Sequence, residues 1–197
     1  MMLIVSLAFG YFLGSVPFGI LLARVFGLGD LRAVGSGNIG ATNVLRTGNK
    51  GAAALTLLLD ALKGAVPVWI AWRYGAEAAA LAGLGAVLGH CFPVWLRFRG
   101  GKGVATFLGA LLALDPWAFL VFALVWLGVA FATRYSSLAA LVASLTALAV
   151  TLLTGAWPLL AAGALVALVA LVIQRHHQNI ARLRAGTESR IGSGSRR

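Results

Sequence analysis

Charge is scarce in this chain, and negative charge is scarcer still. Only 11% of the 197 residues are charged, with five Asp and Glu against sixteen Lys and Arg. A soluble domain carries about 25% charged residues, so an ordinary water-soluble fold is excluded. Cysteine occurs once, at Cys91, which rules out a disulfide framework and leaves the redox compartment open. The adjacent His176 and His177 lack a carboxylate or a further histidine at ligand spacing, so no metal is expected. No repeat relates the two halves, which counts against a transporter built from inverted repeats. Basic and aromatic residues are not interleaved, so nucleic acid is not an expected partner despite a net charge of +11.

What is abundant is apolar: 60% of the residues are hydrophobic. Seven apolar segments stand out, at 3–25, 52–72, 78–96, 103–114, 116–132, 137–154 and 157–174. A span needs about 20 residues, so a single membrane domain over 1–188 holds them, and 189–197 reads as a flexible basic tail. Segment 103–114 is short for a span and is expected to be tilted, partly embedded or continuous with its neighbour past Asp115-Pro116. The run Met1 to Ala23 lacks a basic start and is too long for a signal-peptide core, so it reads as a retained first span.

The connecting charges alternate. Arg32, Arg46 and Lys50 follow the first segment, Arg97, Arg99 and Lys102 the third, Arg134 the fifth, and Arg175, Arg182, Arg184 and Arg190 the seventh. The intervening connections hold only Arg73 with Glu77, then Asp115, then no charge. Basic loops face the cytoplasm. The expected fold is therefore an all-α polytopic membrane protein of seven transmembrane helices, amino terminus outside and carboxyl terminus cytoplasmic. Membrane lipids are its default partners.

Inside the segments, Asp60 and Lys63 share one helical face. Charge at bilayer depth is expensive, so the pair is either a structural ion pair or a catalytic one, with Asp60 a conceivable base. Near the end of the third segment, His90 reads as a satisfied helix-end histidine. Cys91 reads as a small buried residue rather than an acyl-carrying nucleophile.

Three unusual polar stretches all lie on the basic side. The first, Gly35 to Asn43, combines Gly35, Gly37 and Gly40 with Ser36, Asn38, Thr42 and Asn43, ahead of Arg46. Glycines turn backbone N–H groups towards one point, and arginine grips phosphate with two donors. The second holds Gly100, Gly101, Lys102 and Gly103 and leads through Thr106 into an apolar helix. Bare amides and a cation at a helix start make a phosphate seat, although the Walker A spacing is absent. The third, Arg175 to Leu183 and then Gly186-Thr187-Glu188, follows the last segment and reads as an amphipathic interfacial helix with His176, Asn179 and Leu183 on one face.

Together, Ser-Gly-Asn-Ile-Gly-Ala-Thr-Asn at 36–43, Gly-Gly-Lys-Gly-Val-Ala-Thr at 100–106 and His-x-x-Asn-Ile-x-Arg-Leu at 176–183 resemble the three cytoplasmic motifs of the bacterial acyl-phosphate:glycerol-3-phosphate acyltransferases, the PlsY family. The resemblance covers nearly the whole chain. It implies transfer of a fatty acyl group from acyl phosphate to glycerol 3-phosphate, giving 1-acyl-glycerol 3-phosphate (lysophosphatidate) and phosphate, at the bacterial inner membrane. Ser36, Arg46, Lys102, His176 and Asn179 are the implied catalytic residues. Gly37, Asn38, Thr42, Asn43, Gly100, Gly101, Gly103, Thr106, Ser137 and Glu188 are the implied substrate-binding ones. No cofactor is implied, and the enzyme that makes acyl phosphate is a candidate partner. One departure is Gln178, where relatives often carry an acidic residue.

The residues suit that chemistry. An acyl phosphate already carries a good leaving group, so orientation and charge stabilisation suffice. No nucleophile–His–acid set is readable, which favours direct attack, with the donor's own phosphate taking the proton and His176 or Asp60 as fallback bases. A rival reading is a transporter for a phosphorylated metabolite, which would need polar residues across the whole bilayer; here they cluster on one side.

Overall fold

The computed structural model describes residues 1–192; the part of the expected tail at 193–197 lies outside the described residues. Ten α-helices are present among those described. They are α1 (Met2–Gly14), α2 (Phe18–Val25), α3 (Ala41–Leu45), α4 (Lys50–Ala71), α5 (Ala76–Cys91), α6 (Val104–Leu114), α7 (Pro116–Thr133), α8 (Ser136–Thr154), α9 (Leu159–Arg175) and α10 (His177–Arg184). The same residues contain no strand. Five stretches are long and apolar enough to cross a membrane: Met2–Val25, Lys50–Tyr74, Ala76–Leu96, Pro116–Thr133 and Ser136–Thr154. Helix α9 joins them when counted with α10, from which it is bent by 54°. Helix α6 is shorter.

The outer surface is apolar where a soluble protein would be polar. On α7, Trp117, Leu120, Leu124, Leu127 and Phe131 are all exposed, and their spacing of three and four residues places them on one helical face. Such a stripe is stable against lipid and not against water. Inward faces are built from small residues. Helices α1 and α5 meet so closely that a Cβ at Gly10, Gly14, Gly85 or Gly89 would collide with the partner's backbone. Close backbone approach replaces the hydrophobic effect as the source of attraction between helices in lipid. A denser core lies between α5, α6, α7, α8 and α9, where Phe107 and Phe122 pack edge to face with centroids 5.7 Å apart.

The first apolar segment is a broken span. Pro17 stops α1 from running into α2. Backbone freed in this way must find new partners inside a bilayer. Lys63 of α4 supplies one, donating to the Val16 carbonyl at 2.7 Å. Ser15 donates to the Phe12 carbonyl and accepts from the Trp95 indole, each at 2.7 Å. Segment 103–114 does not continue past Asp115-Pro116: α6 and α7 are separate helices, because Asp115 caps α7 by accepting from the amides of Trp117 and Ala118, with Pro116 at its first position.

Candidate active site

A cavity of about 660 Å³ opens between the first polar stretch, α4, α6, α7, α8 and the segment after α9. One part of its wall is polar, the other is formed by Leu57, Leu108, Phe122 and Trp126. All three sequence motifs reach it.

In the first motif, Asn43 is the organiser. It is 1% exposed. Its amide nitrogen donates to the carbonyls of Leu31 and Asn38, both at 2.7 Å, and its oxygen accepts from the Ser36 amide at 3.1 Å and from Arg46 at 3.5 Å. Those bonds commit Asn43 to shaping the loop, and Ser36, Asn38, Thr42 and Arg46 line the cavity beside it. A second guanidinium nitrogen of Arg46 donates to the Ser189 hydroxyl at 2.7 Å.

The second motif hangs from the end of α5. The amides of Gly100 and Gly101 donate to the carbonyls of Cys91 and His90, each at 3.1 Å. From the opposite side Arg175 donates to the carbonyls of Gly101 and Gly100 at 3.1 and 3.2 Å, while its guanidinium lies 5.1 Å from the Phe92 ring centre. Gly103 caps α6 with φ of 82°, a conformation that a side chain would strain. Lys102 is thereby presented to the cavity. Burial, reinforced by Arg182, Arg46 and Arg175 and opposed by Glu188, pushes its ammonium down to about 8.

The third motif turns on the bend after α9. His176 is buried and its Nδ1 donates to the Val172 carbonyl at 2.7 Å, which leaves Nε2 of the neutral ring as an acceptor. Glu188 draws the motif together: Oε1 accepts from Asn179 at 2.6 Å and Ser137 at 2.7 Å, and Oε2 accepts from Arg182 at 2.7 Å. Burial works against its charge, but these bonds outweigh it and hold the carboxyl below its usual range. Asn179 Oδ1 is buried without a partner. Gln178 is exposed on α10 beside the buried Asn179 and does not line the cavity.

Eleven of the residues expected from sequence line the cavity: Ser36, Asn38, Thr42, Asn43, Arg46, Lys102, Gly103, Ser137, His176, Asn179 and Glu188. Gly37, Gly100, Gly101 and Thr106 do not. Gly100 and Gly101 lie against His90 and Cys91, and Thr106 is buried against Gly64 with its hydroxyl unpartnered among the described residues. Arg175, which opens the third polar stretch but is not among the expected site residues, braces the glycine loop; its place directly after the last apolar segment is the signal in the sequence. His90, expected to be a satisfied helix-end histidine, instead buries an Nδ1 that has no hydrogen-bond partner among the described residues. Among the described residues, no three His, Cys, Asp or Glu gather to hold a metal ion.

Residues 4–186 match the family model for glycerol-3-phosphate acyltransferase. The chain belongs to the glycerol-3-phosphate acyltransferase family. This acyltransferase is 58% identical to the glycerol-3-phosphate acyltransferase of Mesorhizobium japonicum, with 97% of each chain covered. It is 56% identical to that of Brucella anthropi, covering 97% of this chain and 94% of the relative. A crystal structure of PlsY, an integral membrane glycerol 3-phosphate acyltransferase in its glycerol 3-phosphate form, matches with a TM-score of 0.92 and 42% identity, covering 98% of this acyltransferase and 97% of that chain. The lysophosphatidic acid form matches with a TM-score of 0.88 and 39% identity.

Proposed function

We propose that this membrane glycerol-3-phosphate acyltransferase uses acyl phosphate as donor and transfers the acyl group directly. The observation that carries this reading is the two-part cavity: cations at one wall, Leu57, Leu108, Phe122 and Trp126 at the other. An amphiphilic donor and a small phosphorylated acceptor need such a site. The acceptor hydroxyl oxygen bonds to the acyl carbonyl carbon, the bond from that carbon to the phosphate oxygen breaks, and the hydroxyl proton leaves on the departing phosphate. Lysophosphatidate and inorganic phosphate result. Arg46, Lys102 and the loop amides hold phosphate charge, while Ser36, His176 and Asn179 orient the hydroxyl. Cys91 is buried and takes no part.

Purified protein should therefore form product from acyl phosphate and glycerol 3-phosphate without coenzyme A, ATP or divalent metal, and Cys91→Ala should keep its activity. A requirement for coenzyme A, or a thioester trapped on Cys91, would overturn direct transfer.

The alternating charges support seven spans at the bacterial inner membrane, with α6 the short one and α9 the last. They put the amino terminus outside and the cavity on the cytoplasmic side. In a Cys91→Ala background, Ala33→Cys and Ala185→Cys should resist an impermeant thiol reagent in intact cells, whereas Arg73→Cys and Thr154→Cys should react. Labelling of the first two from outside contradicts this orientation.

A further inference from the structure

Asp60, Lys63 and His90 form a buried cluster at the cavity floor, 1%, 4% and 5% exposed. Asp60 and His90 line the cavity. The helix break accounts for Lys63, whose donated bond goes to the Val16 carbonyl, and Asp60 balances its charge from 2.7 Å. That leaves His90 without a reason. Its Nδ1 is buried without a hydrogen-bond partner and faces Asp60 Oδ1, the oxygen that also pairs with Lys63, across 3.8 Å. A buried ring nitrogen is stable there only if it pairs, a carboxylate oxygen can accept from more than one donor, and a small turn of the imidazole closes the gap.

The other edge of the ring meets the glycine loop. A Cβ on Gly101 would collide with His90 Nε2, and the Gly101 amide hangs from the His90 carbonyl. The next residue is Lys102. We propose that Asp60 and His90 form a positioning pair: Asp60 fixes the imidazole, the imidazole backs Gly101, and Gly101 sets where Lys102 meets phosphate. The pair touches no reacting atom and governs how tightly the phosphate is held. This rests on the loop being a phosphate seat and not on the identity of the acyl donor.

Calorimetric titration of the purified full chain in detergent, with glycerol 3-phosphate and separately with inorganic phosphate, tests it. His90→Ala and Gly101→Ala should each weaken at least one of these ligands tenfold or more, with melting temperatures close to the parent's. In His90→Ala the added methyl at position 101 has room, so the double variant should bind within about twofold of His90→Ala alone. His90→Leu, which refills the ring's volume without its polar atoms, should bind as poorly as His90→Ala. Unchanged affinity for both ligands, an equal cost of Gly101→Ala in both backgrounds, or rescue by leucine each overturns the pairing. If His90→Ala does not fold, His90→Leu against Gly101→Ala still decides. A parent inactive with acyl phosphate would defeat the donor reading and leave these titrations interpretable.

Discussion

Lys102→Ala is expected to lower kcat/KM by about 10- to 150-fold, the equivalent of losing one charge-assisted phosphate contact of about 1.5–3 kcal/mol. Lys102→Arg should recover part of that loss, since charge returns on a bulkier head beside a tight loop. A pH profile separates this role from a general loss of structure. The Lys102 ammonium, pushed down to about 8, is the form that binds phosphate. Its contribution is therefore present below that pH and lost as pH rises through it. The loss belongs to kcat/KM, which reports the free enzyme, because bound phosphate favours the charged lysine and protects kcat. In Lys102→Arg the alkaline limb should vanish, as arginine does not titrate there. A parent whose kcat/KM is flat from pH 7 to beyond 9, in rough terms, would show that Lys102 does not hold the phosphate.

Glu188→Ala should be at least as damaging, by about 100-fold or more in kcat/KM, near 2.7 kcal/mol. Three donors converge on this carboxylate, from Ser137, Asn179 and Arg182. Removing the shared acceptor orphans them together and frees Asn179 from its place beside His176. Glu188→Gln keeps an acceptor but not the charge, so it should fall between parent and alanine. The pH profile again gives a specific sign. Glu188 raises the Lys102 ammonium, so in either variant the alkaline limb moves to lower pH. Steady-state kinetics on folded, detergent-solubilised variants gives both readouts; Glu188→Ala activity within threefold of the parent would remove it from the site.

Helix positions were legible because apolar runs and their breaks are properties of short stretches. Segment 137–154 became α8 and 116–132 became α7 nearly residue for residue. The motif residues were legible as a set, through glycine and amide density and a family resemblance. Division of labour among them was not. Asn43 and Ser36 look alike in sequence and both line the cavity, yet Asn43 is buried and spends its amide on Leu31 and Asn38 whereas Ser36 is exposed. Arg175 and Arg184 both look like orienting charges, and only the fold brings Arg175 against the carbonyls of Gly100 and Gly101. The unpaired His90 is invisible without its distance to Asp60, thirty residues away. Each of these depends on partners remote in sequence, where local pattern carries no signal.

Helix α6 has only 11 residues, about 16 Å at 1.5 Å per residue, roughly half the hydrocarbon thickness. Thr106, its third residue, packs against Gly64, fourteen residues and so about 21 Å along α4 from Lys50. The glycine loop is thus sunk well below the rim of the bundle, beside apolar walls. On the acyl phosphate reading, the small polar substrate descends to the fatty one. Drawing ten methylenes of an acyl chain out into water would cost about 8 kcal/mol, at about 0.8 each. On that same reading, a truncated helix lets the reaction proceed with the tail still solvated by hydrocarbon.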